Sequence, residues 1–123
     1  MRLDTEAFLE LAKFPKEERR GSRYQSALKR AAGCPLEMCE LAVASLAIGR
    51  FEIGRTSRWL ASDLAEAGIL LQASFRSARL NVEINLRSVQ DKTFLSKTRN
   101  RLDRLQKEAD VLNQKIKQVL AHG

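Results

Sequence analysis

The sequence predicts an all-α protein, an up-and-down bundle of about five helices with a long C-terminal one. Three observations carry that expectation. Only two prolines and six glycines interrupt 123 residues. Residues that propagate helices (Leu, Ala, Glu, Lys and Arg) are abundant throughout. Apolar residues recur at spacings of three and four, most regularly in the last third. The length suits one domain with one core, residues 1–123, and not two.

The helices follow in order. Asp4 is placed to cap a first short helix, "TEAFLELAKF", with Phe8, Leu11 and Ala12 on one face. Pro15 closes it. Lys16 to Ala32 forms a second, basic stretch carrying Arg19, Arg20, Arg23, Lys29 and Arg30. Gly21 weakens that helix without breaking it. Gly33 and Pro35 then read as a stop and a restart. A third helix runs from Pro35 to about Gly49, with Leu36, Leu41, Ala44 and Ile48 among small residues that allow close packing. "GRFEIGRTSRW", 49–59, either extends it or bends before Ser57 or Ser62 caps the fourth helix. That fourth helix continues to about Ser88. "SVQD" connects, with Asp91 as the next N-cap. The last helix reaches about Ala121 on the seam Leu95, Thr98, Leu102, Leu105, Ala109, Leu112, Ile116 and Val119. Its alternating spacing is a heptad pattern, able to pack within the chain or against a second one.

The composition narrows function. Charged residues at 30% and hydrophobic ones at 44% describe a globular chain rather than a disordered one. A net charge of +7 suits an acidic partner. Nucleic acid is disfavoured, because one Tyr and one Trp leave little to stack on bases and no motif places a recognition helix. No apolar run approaches the roughly 18 residues of a membrane span. The N-terminus, "MRLDTEAF", has no apolar signal core. Cys34 and Cys39 flank Pro35, and the one histidine, His122, is far away, so a zinc site is not expected. Two buried, reduced thiols in a cytoplasmic protein are expected instead.

The fourth helix holds the residues that ask for an explanation. At about 100° per residue, Asp63 and Asn81 share one azimuth, and Ala67, Ser74, Ser77, Asn85 and Ser88 fall near the same line. Asn81 and Asn85, four apart, are neighbours. Such a stripe either bonds across helices and sets their register or forms a polar wall of a ligand pocket. In the second case the amides orient a polar ring and Asp63 handles a proton. A straight helix holds Asp63 roughly 27 Å from Asn81, so one helix cannot bring both to one small ligand. Either the helix breaks, or a symmetric partner joins the two ends.

These residues resemble a known family. "CPLEMCELA" followed by "SDLAEAGILLQASFRSARLNVEINLRSVQD" is similar to the cyclodeaminase/cyclohydrolase family. That fold is the all-helical formimidoyltetrahydrofolate cyclodeaminase half of formiminotransferase-cyclodeaminase, shared by methenyltetrahydrofolate cyclohydrolases of that type. The pattern is carried by Pro35-Leu36, by Ser62-Asp63, and by Asn81-Val82-Glu83-Ile84-Asn85-Leu86. Asp4, Ala7, Phe8, Pro15 and Lys16 match its opening segment. Family members begin with one or two further helices carrying a glycine-rich, folate-associated turn. This sequence shows no such turn, so an N-terminally shortened domain is expected. "GRTSRWLASD" also stands where the family has a "GN … SD" approach.

The resemblance implies folate-dependent one-carbon chemistry, with a tetrahydrofolate derivative as substrate and no metal. Asp63 would be the catalytic acid or base. Asn81, Asn85 and Ser62 would bind the substrate, and Arg58 and Arg87 would attract its anionic tail. It also implies a homodimer built by helical packing. The competing expectation is a non-catalytic helical interaction protein derived from the same fold, favoured by the missing turn and the heptad seam.

Overall fold

A computed structural model gives the fold; it describes residues 2–19 and 21–122, with side chains from Thr5 to Ala121. Four α-helices account for nearly all of it: α1 (Arg2–Ala12), α2 (Ser22–Ile53), α3 (Arg58–Leu86) and α4 (Lys92–His122). A 3-10 turn, Lys16–Glu18, joins the first two. The chain is therefore all-α with a long C-terminal helix, as expected, but with four helices rather than five.

The difference lies at Gly33 and Pro35. The stop-and-restart signal does not stop the chain, and one helix of 32 residues runs through both. No described residue has positive φ, so Gly33 stays in the helical register. Pro35 has no N–H, and its ring crowds the carbonyl four residues earlier, that of Ala31. The helix loses one internal bond there. Asn85 on α3 donates to that same Ala31 carbonyl at 3.4 Å, replacing the missing partner. Packing on both sides holds the rest, since Ala31, Ala32, Pro35 and Cys39 are all buried.

Other boundaries also shift. Asp4 is inside α1, not before it. The basic stretch becomes helical only from Ser22. The segment 49–59 extends α2 to Ile53 and then bends, and Ser57, not Ser62, precedes the next helix. Asp91 caps α4 as expected: its carboxylate accepts from the Phe94 N–H at 3.1 Å.

The core is the space between α2, α3 and α4. Phe75, Leu46, Leu86, Leu102, Ile116, Val82 and Cys39 fill it and are almost fully buried. The heptad seam of α4 packs inside the chain. Thr98, Leu102, Leu105, Ala109 and Ile116 are buried, and Leu95, Leu112 and Val119 lean against the same core. Asn113, which no periodicity singled out, is also buried, and its amide donates to Gln72 at 2.6 Å. On α2 two apolar faces compete. Leu41 and Ile48 point outward, and Cys39, Ala42, Val43 and Leu46 point in. The Leu41, Ala44, Ile48 line is itself helical in period, so spacing alone could not choose between two apolar faces.

That double-sided apolarity has a second effect. An 18-residue window of α2 reaches a mean hydropathy of 1.5, long and apolar enough by composition to cross a membrane. No single unbroken run showed it. In the fold, its inner face is core.

Ion pairs tie the helices at their rims. Arg101 meets Glu40 at 2.6 Å, Arg79 meets Asp103 at 2.7 Å, and Lys29 meets Asp91 at 2.8 Å. All are partly exposed, so each adds little to stability. The connection from α3 to α4 is held more firmly. The Gln25 side chain donates to the Ser88 carbonyl at 3.1 Å and accepts from the Gln90 N–H at 2.9 Å. The connection from α2 to α3 bonds back to its own helix, through Arg55 and Thr56 N–H groups on the Glu52 carbonyl.

Candidate functional site

The C-terminal half of α3 passes beside α1, and a cleft of about 400 Å³ lies between them. Asn81, Ile84 and Asn85 form its α3 wall, Thr5, Phe8 and Leu11 its α1 wall, and Ala31 its α2 floor. The α1 positions come three apart, so one side of that short helix lines the opening. Phe8 is 67% exposed, which leaves its ring uncovered at the cleft. Two amides, a hydroxyl and four apolar side chains suit a flat, polar-edged ring more than a purely apolar ligand.

Asn85 is half-buried and committed. One of its N–H groups goes to the Ala31 carbonyl that Pro35 leaves without a helical partner. This orients the amide. Its oxygen and second N–H are the groups it can present elsewhere. Asn81, one turn earlier, is exposed. The pair expected from the sequence is therefore brought together, with Pro35 as an unexpected third member.

The remaining expected site residues are elsewhere. Asp63 and Ser62 are exposed near the start of α3. Because α3 is unbroken from Arg58 to Leu86, Asp63 lies roughly 27 Å from Asn81 along it. Arg58 opens α3 and Arg87 follows its last residue, both exposed at opposite ends. Asp63, Ser62 and Arg58 thus do not reach the cleft within one chain, and Arg87 is not among its lining residues. Ala67, Ser74 and Ser77 of the stripe are exposed, whereas Asn85, on the same stripe, bonds across to the α2 backbone.

A second opening, about 510 Å³, lies where α1, the 3-10 turn and α2 meet. Lys13, Arg23 and Arg30 line it with Glu10 and Glu18, and Arg30 pairs with Glu10. Part of the basic stretch therefore has a concave setting, on α1 and α2 rather than at Arg58 or Arg87.

The thiols are separate from both openings in chemistry. Burial pushes the Cys39 thiol up to about 11, against the nearby Arg79 charge, and its sulfur lies 3.8 Å from the Phe75 carbonyl. It is a core residue that stays protonated. Cys34 is only half-buried, a correction to the expected pair of buried thiols. No cluster of three or more His, Cys, Asp or Glu suited to a metal occurs among the described residues.

With this geometry in place, the chain can be compared with known proteins. A sequence profile of the formiminotransferase-cyclodeaminase family matches residues 1–104. The chain belongs to that family. A methenyltetrahydrofolate cyclohydrolase of Methylorubrum extorquens is 30% identical over 97 residues, which is 79% of this chain and 47% of that protein. The crystal structure of formiminotetrahydrofolate cyclodeaminase from Thermotoga maritima matches with a TM-score of 0.91 at 26% identity. That match covers 98% of this chain and 60% of the other. The chain thus spans about half the length of its cyclohydrolase relative. The fold expected from "PL", "SD" and "NVEINL" is the family's fold, and the family profile extends well into α4.

Proposed function

We propose that the cleft between α1 and α3 receives the ring system of a tetrahydrofolate derivative, in cyclodeaminase or cyclohydrolase chemistry. The observation that carries this is the oriented amide pair, Asn81 and Asn85, beside the uncovered Phe8 ring. A reduced pterin offers a row of donors and acceptors on one edge, which side-chain amides match on both counts. The volume suits one small ring system. Family membership and two folate-named relatives support the same substrate class.

The roles follow from position. Asn85, held by the Ala31 carbonyl, orients the ring, and Asn81 adds a second contact one turn away. Phe8, Leu11 and Ile84 exclude water from its faces. Closing or opening a one-carbon bridge requires proton transfers, and a positioned carboxylate can supply them. Asp63 is the carboxylate the family pattern points to.

A second reading has one observation in its favour. Among the described residues lining this cleft, none has an ionisable side chain. A single chain would then bind and orient folate, or serve association alone, without catalysing a reaction.

Calorimetric titration with tetrahydrofolate and its 5-formyl form separates these readings. Wild type is expected to bind, Asn85→Ala to bind at least tenfold more weakly, and Asp63→Asn to bind comparably while losing any cyclohydrolase or cyclodeaminase turnover. No binding by wild type at millimolar ligand would reject the folate site.

A further inference from the structure

The positive charge of the chain is not spread evenly. Helix α4 carries eight Lys and Arg against three acids, so five of the net +7 sit on one helix, about a quarter of the sequence. All eight cations are exposed. Arg99 and Arg101 are paired, with Glu83 on α3 and Glu40 on α2. Lys97, Arg104, Lys107 and Lys115 make no ion pair among the described residues.

These four unpaired cations share one face. At about 100° per residue, Arg104, Lys107 and Lys115 all fall within about 80° of Lys97, and the row is roughly 27 Å long. It lies on the side of α4 away from the buried seam of Leu102, Ala109 and Ile116. Asn100 and Gln118 are exposed in the same sector. Glu108 borders the row at one edge, and Asp103, taken up by Arg79, borders it at the other. Part of the row, from Lys97 to Lys107, lines a shallow depression of about 720 Å³. Among the described residues Val111 is the one exposed large apolar side chain in this sector. The face therefore offers charge and hydrogen-bond donors. It lacks the apolar area that a protein interface core or a membrane-surface helix uses.

We propose that this face of α4 binds the phosphate backbone of duplex DNA without regard to base sequence. A helix about 10–12 Å across matches a B-form major groove about 12 Å wide, whose walls are lined with phosphates. Lysine and arginine neutralise those phosphates, and the amides of Asn100 and Gln118 donate to their oxygens. The core contacts on the other side of α4 hold the cations at fixed spacing, so little order has to be gained on binding. The scarcity of Tyr and Trp tells against stacking on single strands, but a duplex backbone needs no stacking. No residue of α4 is among those lining the cleft between α1 and α3, so this inference does not depend on the folate reading.

Fluorescence anisotropy with a short labelled DNA duplex of mixed sequence, at a series of salt concentrations, tests it on the full chain. Four phosphate contacts give a slope of about −3.6 in log affinity against log salt, so affinity is expected to fall on the order of a hundredfold between about 50 and 200 mM salt. Arg104→Gln with Lys107→Gln keeps good helix formers at both positions and is expected to make the slope shallower by about 1.8. Lys16→Gln with Arg19→Gln removes the same charge away from α4 and is expected to leave the slope as it is. A wild type that does not bind at about 50 mM salt, the low end of that range, overturns the proposal. So does a control pair that loses as much as the α4 pair, since net charge alone would then explain binding. Anionic lipid vesicles or poly-glutamate that bind the chain more tightly than DNA at the same salt overturn it as well, in favour of a membrane surface or an acidic protein.

Discussion

At Asp91 one carboxylate serves two elements. It accepts from Lys29 at 2.8 Å, tying the start of α4 to α2, and from the Phe94 N–H, capping α4. The Lys29 hydrogen bond, followed by the Phe94 N–H, holds its pKa below the ordinary 3.8. A group whose pKa is lowered by folding stabilises the fold above its unfolded pKa and loses that effect as pH falls through the folded one. Asp91→Ala is therefore expected to melt at a lower temperature than wild type at neutral pH. The gap should narrow as the pH is taken below 3.8. A gap independent of pH in thermal denaturation would show that the carboxylate's charge does not matter there. This residue was legible in the sequence because capping is local: an acid three positions before an amide donor needs no knowledge of the rest of the chain. Its partner Lys29, 62 residues away, could not be read. The cleft divides the same way. Asn81 and Asn85 stood out as polar residues on an apolar helix. Thr5, Phe8 and Leu11 did not, because only the packing of α1 beside α3 makes them neighbours of the asparagines.

At the scale of the helix, Pro35 and Asn85 form one device. Their motifs, "CPLE" and "NVEINL", were visible separately, and the physical link between them was not. Gly33 and Pro35 together carry the strongest local break in the sequence, and tertiary contact overrides it. Pro35→Ala returns an N–H to the Ala31 carbonyl. The helical preference of Ala over Pro is about 3 kcal/mol. The opposing loss is two buried methylenes at about 0.8 kcal/mol each. The substitution should therefore raise stability by about 1 kcal/mol, read as a higher urea midpoint. It should also free the Asn85 amide and weaken tetrahydrofolate binding several-fold. In the Asn85→Ala background it should have no further effect on binding. A Pro35→Ala protein that is less stable than wild type would mean that the Asn85 bond fully compensates the helix. Helix faces show the limit of periodicity in the same element. α2 is apolar on both sides, with Leu41 and Ile48 on one and Val43 and Leu46 on the other, and only the position of α3 and α4 decides which side is inner.

At the scale of the molecule, three long helices share one core, and one broad apolar face remains outside it. The heptad seam of α4 was the feature that most suggested association. It is spent on the chain's own core. The apolar face left uncovered belongs to α2 and α3. The two connections between long helices also differ in kind. Gln25 reaches across from α2 and holds the α3–α4 connection by both ends of its amide, as a strand would hold its neighbour. The α2–α3 connection bonds to the two helices it joins, through the Arg55 and Thr56 N–H groups on the Glu52 carbonyl and through the Ser57 carbonyl to the Leu60 and Ala61 N–H groups. To a protease the two are not equivalent. Brief trypsin treatment, followed by mass spectrometry, should cut between the long helices at Arg55 or Arg58 well before Arg87 or Lys92. Because the cut lies outside the core, the two pieces should stay together through gel filtration. The molecule has one place where it can be opened without coming apart, and inserted sequence would be tolerated there too.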